Sequence, residues 1–176
     1  MINQKTPPWM ERIRDELGVT EANGLSDNGR ILEYFKSLGP YYREIEWKDS
    51  DNWCAALINW SLEQVGIPGT NSPAAIDFMR YGRPLKKPRK GCIAVFWRYN
   101  PESWESHVGL VNQIYNYDIE ILGGNQDNKV CYKWMPEYKL RGYRWPYVTK
   151  IMKASLQRGF YRWQLKPSYQ LLPKLA

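Results

Sequence analysis

The chain has 176 residues, of which 43% are hydrophobic and 15% aromatic, so it is long and apolar enough for one globular domain with a sizeable core. This composition excludes a disordered chain, and no apolar run in the sequence reaches membrane-spanning length. The net charge of +7 favours an anionic partner (nucleic acid, a membrane surface or a cell-wall polymer) about as much as it favours simple solubility.

The first half of the chain predicts four helices. Residues 6–18 have proline near the start, apolar residues at helical spacing and a glycine at the end. Residues 26–39 form a second helical pattern, which Gly39 and Pro40 should end. Residues 54–66 predict an amphipathic third helix with one apolar stripe, and residues 72–82 predict a short fourth helix.

The second half changes to strand-like composition and alternation. The predicted strands are residues 91–97, 106–115, 118–124, 129–136 and 141–146. Helices followed by a run of strands predict an α+β fold, in which an antiparallel sheet packs against N-terminal helices.

The basic excess is uneven along the chain. Residues 80–90 contain six Lys or Arg and no acid, and residues 151–176 contain five and no acid. We interpret residues 1–150 as one domain and residues 151–176 as a basic, aromatic C-terminal extension. The first residues lack a signal-peptide pattern, which predicts synthesis in the cytoplasm.

Cys54 is the first residue of the predicted third helix, where backbone N–H groups and partial positive charge favour a thiolate. The alternative is packing, because free cysteine is a common buried residue. His107 is the only histidine, so it must be the base if the chain uses Cys–His chemistry. Its alternative is an ordinary hydrogen-bonded histidine at a strand edge.

A catalytic histidine needs a partner that fixes its tautomer and ring angle. Asn125 follows two glycines at the end of a predicted strand and is our candidate, with Glu120 as a weaker choice. The same segment is typical of a hairpin turn, and both roles can hold together. Cys92 and Cys131 are interpreted as structural. The cysteines lack metal-site spacing, so we expect no disulfide framework, no metal and no cofactor.

Several segments together resemble one family. They are PWMERIRDELGV, NGRILEYF, WCAALINWSLEQVGIPGT, GCIAVF, SHVGLV and LGGNQDN, and they extend from about residue 8 to about residue 146. The combination resembles the CHAP/NlpC-like cysteine hydrolases of phage lysins and bacterial cell-wall effectors. Its most specific parts are the Trp-Cys-Ala-Ala helix start and the Gly-Gly-Asn-Gln turn.

The resemblance implies a papain-like α+β fold in which Cys54 attacks an amide in the peptide part of peptidoglycan. It implies that His107 is general base and then general acid, that Asn125 orients it, and that the Cys54 backbone N–H is one oxyanion donor. A second oxyanion donor or a substrate contact would come from one of four residues. These candidates are Asp51, Asn52, Trp53 and Gln126. Many family members have Gln where this chain has Trp53, and many use Glu as the third residue.

The resemblance leaves the scissile bond open between the muramoyl–L-alanine amide and a bond within the stem peptide. It implies action at the cell wall or periplasm, after release by a holin or delivery by a secretion apparatus. A secreted effector would also need an immunity protein as a partner. Two alternatives stay open. One is a non-catalytic module that binds nucleic acid or another anionic polymer through residues 151–176, although nothing resembles a nucleic-acid motif. The other is a papain-like protease or transferase acting on protein.

Overall fold

A computed structural model of the chain describes residues 5–24 and 26–148. These residues form an α+β fold, with helices in the first half and a six-stranded sheet in the second. This confirms the α+β prediction. The predicted C-terminal extension, residues 151–176, lies outside the described residues. Within the described ranges, no helix has the length and apolar character needed to cross a bilayer.

The helices follow their local start signals. Pro8 is at the start of the first helix, and the side chain of Asn28 accepts a hydrogen bond from the Arg30 N–H to cap the second. Pro40 begins a short helix that the sequence analysis missed, because it treated Gly39-Pro40 only as a stop signal. The α-helices are α1 (Pro8–Arg14), α2 (Gly29–Phe35), α3 (Pro40–Arg43) and α4 (Cys54–Glu63). The fourth predicted helix is a 3₁₀ helix, Ala75–Arg80.

The sheet is antiparallel throughout, in the order β1-β6-β2-β3-β4-β5. Its strands are β1 (Arg83–Leu85), β2 (Ile93–Trp97), β3 (Ser106–Tyr115), β4 (Asp118–Gln126), β5 (Lys129–Pro136) and β6 (Leu140–Trp145). Strand β1 was not predicted, since three residues at the edge of a sheet, one of them proline, show no periodicity.

Helix α4 lies at the centre of the fold and is not amphipathic. Every residue from Cys54 to Leu62 is buried, because α1 and α2 cover one side of the helix and strands β3 and β4 cover the other. The polar residues inside it are hydrogen-bonded: Ser61 Oγ donates to the Ile58 carbonyl at 2.8 Å, and Asn59 Nδ2 donates to the Ala55 carbonyl at 2.9 Å. The amphipathic prediction was therefore wrong about one face of this helix.

The two faces of the sheet have different neighbours. Val108 and Leu110 of β3 belong to the large core cluster that contains α4. Val111, with Phe96 of β2, belongs to a second cluster on the opposite face. The N-terminal end of α4 contacts the start of β3, because the thiol of Cys54 accepts a hydrogen bond from the backbone of Val108. The first residue of the central helix is thereby held beside the second residue of β3, His107.

Candidate active site

Cys54 is the first residue of α4, and only 1% of its surface is exposed. None of the described side chains caps this helix end. The first backbone N–H groups of a helix have no intrahelical partner, so they can donate to a negative atom placed there. The position is therefore suited to a thiolate and to the oxyanion formed when a thiolate attacks a carbonyl.

Trp53, the residue before Cys54, is buried and fixed in place. The indole N–H of Trp53 donates to Oε1 of Glu21 at 3.0 Å, and the ring is fully buried. A Cβ atom at Gly124 would lie 2.1 Å from Trp53 Cζ3, so the ring packs directly on the backbone of β4. Because the only polar hydrogen of its side chain is already bonded, the indole of Trp53 positions the start of α4 and is not free to donate to an oxyanion.

His107 is buried near the start of β3, opposite Phe96 of β2. Its Nε2 atom lies 3.1 Å from Oε1 of Gln126. The Gln126 amide is fixed from its other side, because its Nε2 donates to the Cys131 carbonyl at 2.6 Å. A carbonyl only accepts, so Oε1 of Gln126 must be the atom that faces His107, which assigns a hydrogen to His107 Nε2. Nδ1 is then the ring nitrogen left for Cys54, which is hydrogen-bonded with His107.

Asn125 is expected to orient His107, but no hydrogen bond joins the two residues in the part of the chain that the structure describes. Its Nδ2 donates to the backbone carbonyl of Asp51 at 3.1 Å. The two glycines do not end β4, which continues to Gln126 through a register shift between Gly123 and Gln126. Asn125 has a φ of 53° at this irregularity. The side chain that meets the imidazole is consequently that of Gln126, one residue later.

The pKa of Cys54 is lowered to about 7. Burial by itself raises the pKa of this thiol, but a hydrogen bond with His107, the charge of His107 and the charge of Arg98 together outweigh burial. The backbone N–H of Val108 lowers the pKa further. Cys92 is the useful contrast: burial there outweighs a backbone hydrogen bond and the charge of Arg89, no histidine acts on the thiol, and its pKa rises to about 12. Cys54 is therefore set apart by its neighbours and not by burial.

The remaining candidates from the sequence have different surroundings. Asp51 Oδ2 accepts from the Lys48 backbone N–H at 2.7 Å, so this carboxylate closes a turn. Asn52 is exposed, and its side chain has no hydrogen-bond partner among the described residues. The carboxylate of Glu120 accepts from the amides of Asn112 and Gln113 and does not reach His107. Asn52 is the candidate whose amide is free to face a substrate.

Two arginines near the site were missed by the sequence analysis. Arg141 of β6 bonds to the loop between β2 and β3: Nε donates to Ser106 Oγ at 3.1 Å, Nη1 donates to the Pro101 carbonyl at 2.9 Å, and Nη2 donates to the Ser103 carbonyl. Arg141 thereby fixes the loop that leads into His107. Arg98 stands at the other end of the same loop. Nothing in the local sequence distinguishes either residue from surface arginines.

Residues 5–24 and 26–148 contain no group of three or more His, Cys, Asp or Glu side chains that could hold a metal ion.

The chain matches no protein-family model, and no curated protein is significantly similar to it. The geometry of the site is accordingly the main support for any assignment of function.

Proposed function

We propose that this chain is a papain-like cysteine amidohydrolase of the CHAP/NlpC kind that cleaves an amide bond in the peptide part of peptidoglycan. One observation carries the proposal: a buried thiol with a pKa of about 7 begins the central helix, and its hydrogen-bonded histidine is oriented by a fixed amide. Nucleophile, base and orienting group are the three parts that covalent amide hydrolysis by cysteine requires.

The reaction begins with proton transfer from the Cys54 thiol to His107 Nδ1, which gives a thiolate and an imidazolium. The thiolate attacks the carbonyl carbon of the amide, and the carbonyl electron pair moves to oxygen. The oxyanion is stabilised by the Cys54 backbone N–H and the amide of Asn52. When the C–N bond breaks, His107 gives its proton to the leaving amine, and a thioester remains on Cys54. His107 then deprotonates a water molecule, which hydrolyses the thioester and regenerates the thiol.

Gln126 is the orienting residue in this mechanism, in place of Asn125. Its amide oxygen holds His107 in the tautomer in which Nδ1 can accept the thiol proton. An amide adds no charge, so the ion pair between Cys54 and His107 depends on hydrogen bonding and on the nearby arginine. Asn125 has a supporting role, since it ties the residue three before the nucleophile to β4.

Peptidoglycan is proposed as substrate from the resemblance of the sequence segments and from the surroundings of the site. The loop between β2 and β3 exposes Trp104 and Tyr99, with 70% and 69% of their surfaces accessible. Exposed rings beside a catalytic pair suit an extended substrate of peptide and sugar. We propose that the enzyme meets this substrate after holin release or delivery by a secretion apparatus, with an immunity protein as partner in the second case. The nucleic-acid alternative depends on residues 151–176, outside the described ranges.

Digestion of purified peptidoglycan sacculi tests the proposal. Wild type, Cys54→Ala and Cys92→Ala are compared, and the soluble products are identified by mass spectrometry. We expect fragments from wild type and Cys92→Ala and none from Cys54→Ala, because Cys92 lies on the other face of the sheet. Free stem peptides would identify an amidase, and shortened or uncrosslinked muropeptides would identify an endopeptidase. Full activity in folded Cys54→Ala, or no release from any of several wall types, would overturn the assignment.

A further inference from the structure

One positive charge acts on the Cys54–His107 pair and, beyond supporting the thiolate, has no contact with the substrate in the mechanism above. Arg98 follows Trp97, the last residue of β2, and Phe96 is paired with His107. The backbone N–H of Arg98 donates to the Glu105 carbonyl at 3.1 Å, so the antiparallel pairing continues to Arg98. Because side chains alternate along a strand, Arg98 and His107 project from the same face of this hairpin. The charge of Arg98 acts on the thiol of Cys54.

Arg98 is a half-buried residue. Among the described residues it makes no side-chain hydrogen bond, and no carboxylate lies within ion-pair distance of it. Its neighbour Glu105 contributes a backbone carbonyl to the Arg98 N–H but no ion pair. By contrast, Arg141 bonds to the loop beside the site and Arg144 bonds to the Met79 carbonyl. Those two arginines serve the fold, whereas the five N–H donors of Arg98, whose charge acts on Cys54, have no acceptor among the described residues.

We propose that Arg98 binds a free carboxylate of the substrate and makes the enzyme specific for amide bonds next to a residue that has one. A guanidinium matches a planar carboxylate with two parallel hydrogen bonds. The inference rests on the proposed function, because stem peptides provide such groups: where the chain runs through the side chain of a glutamate, its α-carboxyl stays free. The residue is therefore specificity-determining and not catalytic.

The position of Arg98 should make the enzyme discriminate strongly between a carboxylate and a carboxamide. A substrate carboxylate near the Cys54 thiolate would be repelled by it unless a positive charge lay between or beside them. Arg98 is the residue whose positive charge acts on Cys54 in addition to that of His107. A carboxamide in the same place would leave the guanidinium desolvated and poorly paired, which is costly for a charged group. We therefore expect a preference of about tenfold or more for carboxylate over carboxamide at this position.

The first test needs no substrate. Iodoacetate and iodoacetamide alkylate the same thiolate, but only iodoacetate carries a carboxylate, so the ratio of their rates cancels the thiolate fraction. We expect the ratio of the iodoacetate rate to the iodoacetamide rate at Cys54 to fall about tenfold in Arg98→Gln. It should fall less in Arg98→Lys, which keeps the positive charge but lacks the paired N–H donors of a guanidinium. Lys86→Gln, which removes an exposed charge elsewhere, should keep the wild-type ratio. An unchanged ratio in both Arg98 variants would overturn the inference.

The second test uses paired muropeptides that differ only in a free carboxylate or a carboxamide next to the scissile bond. Wild type and Lys86→Gln should cleave the carboxylate form with a kcat/KM about tenfold higher, and Arg98→Gln should lose the preference. Hydrolysis of both forms by wild type at equal rates would overturn the role of Arg98 and leave the proposed function standing. Hydrolysis of neither form would count against the proposed function, while the alkylation ratio would still decide whether Arg98 binds a carboxylate beside Cys54.

Discussion

The indole ring of Trp53 occupies the space that a side chain at Gly124 would need. A Cβ atom there would come within 2.1 Å of Trp53 Cζ3 and 2.7 Å of Leu57 Cδ2. Trp53 immediately precedes Cys54, and Gly124 lies two residues before Gln126. This close contact therefore sets the distance between the start of α4 and the strand that carries Gln126.

Gly124→Ala should destabilise the protein by about 1–3 kcal/mol, because both the ring and the strand backbone are buried and neither can move freely. Urea unfolding measures the change. Gly29→Ala is the matched control: Gly29 is in a helix, and a Cβ atom there meets nothing within 4 Å, so this variant should be as stable as wild type or more so. Equal stability of Gly124→Ala and Gly29→Ala would show that the contact is not tight.

The reactivity of Cys54 should follow its lowered pKa. Since the thiolate is the reactive form, the alkylation rate should rise with pH around a midpoint near 7. His107→Asn removes the hydrogen bond and the charge that oppose burial, so the pKa and the midpoint should move upward. The rate at pH 7 should then fall about tenfold for each pKa unit gained.

Mass spectrometry of the alkylated peptides separates the cysteines. Cys92 provides an internal control, because burial raises its pKa to about 12 and it should stay unmodified in the folded protein. A midpoint that is the same in His107→Asn and wild type would show that His107 does not activate the thiol.

Gln126 and Asn125 can be distinguished by two substitutions of similar severity. Gln126→Met keeps the length of the side chain but removes the bonds to His107 and to the Cys131 carbonyl, so activity should fall about tenfold to hundredfold. Asn125→Gly removes the bond to the Asp51 carbonyl while permitting the φ of 53°. We expect it to reduce activity only a few-fold. If both variants fold and Asn125→Gly lowers kcat more than Gln126→Met does, Asn125 and not Gln126 would be the orienting residue.

Arg141→Ala should release the loop between β2 and β3. Without the three bonds from this guanidinium, backbone amides of residues 101–106 should exchange hydrogen faster, and hydrolysis should slow because His107 follows directly. Arg14→Ala removes an exposed pair with Glu11 and should change neither readout. Unchanged exchange in Arg141→Ala would mean that the loop is held by other contacts.

The sequence predicted the parts of the site that depend on local signals. Cys54 was found because a helix begins there, and His107 because the chain has no other histidine. The order of helices and strands was sufficient for the α+β class, since each element has its own periodicity. These features need no knowledge of how distant segments pair.

The features that were missed depend on pairing. Whether Asn125 or Gln126 meets the imidazole is decided by the register shift of β4 against β5, and one residue of shift changes which side chain faces the site. The burial of α4 on both sides depends on where α1 and α2 pack. Arg98 and Arg141 resemble solvent-facing residues until β2, β3 and β6 are placed side by side.

The distribution of Cys54, His107 and Gln126 over one helix and two later strands has a consequence for the life of the protein before it folds. The three residues lie far apart in the sequence, and only the folded structure brings them together. In a chain that is still emerging from the ribosome, or that passes through a channel in extended form, Cys54 is an ordinary thiol because His107 is not beside it. On the proposed function, hydrolytic activity therefore requires the pairing of β3 with β4 and the packing of α4 against them, so folding itself would be the activation step.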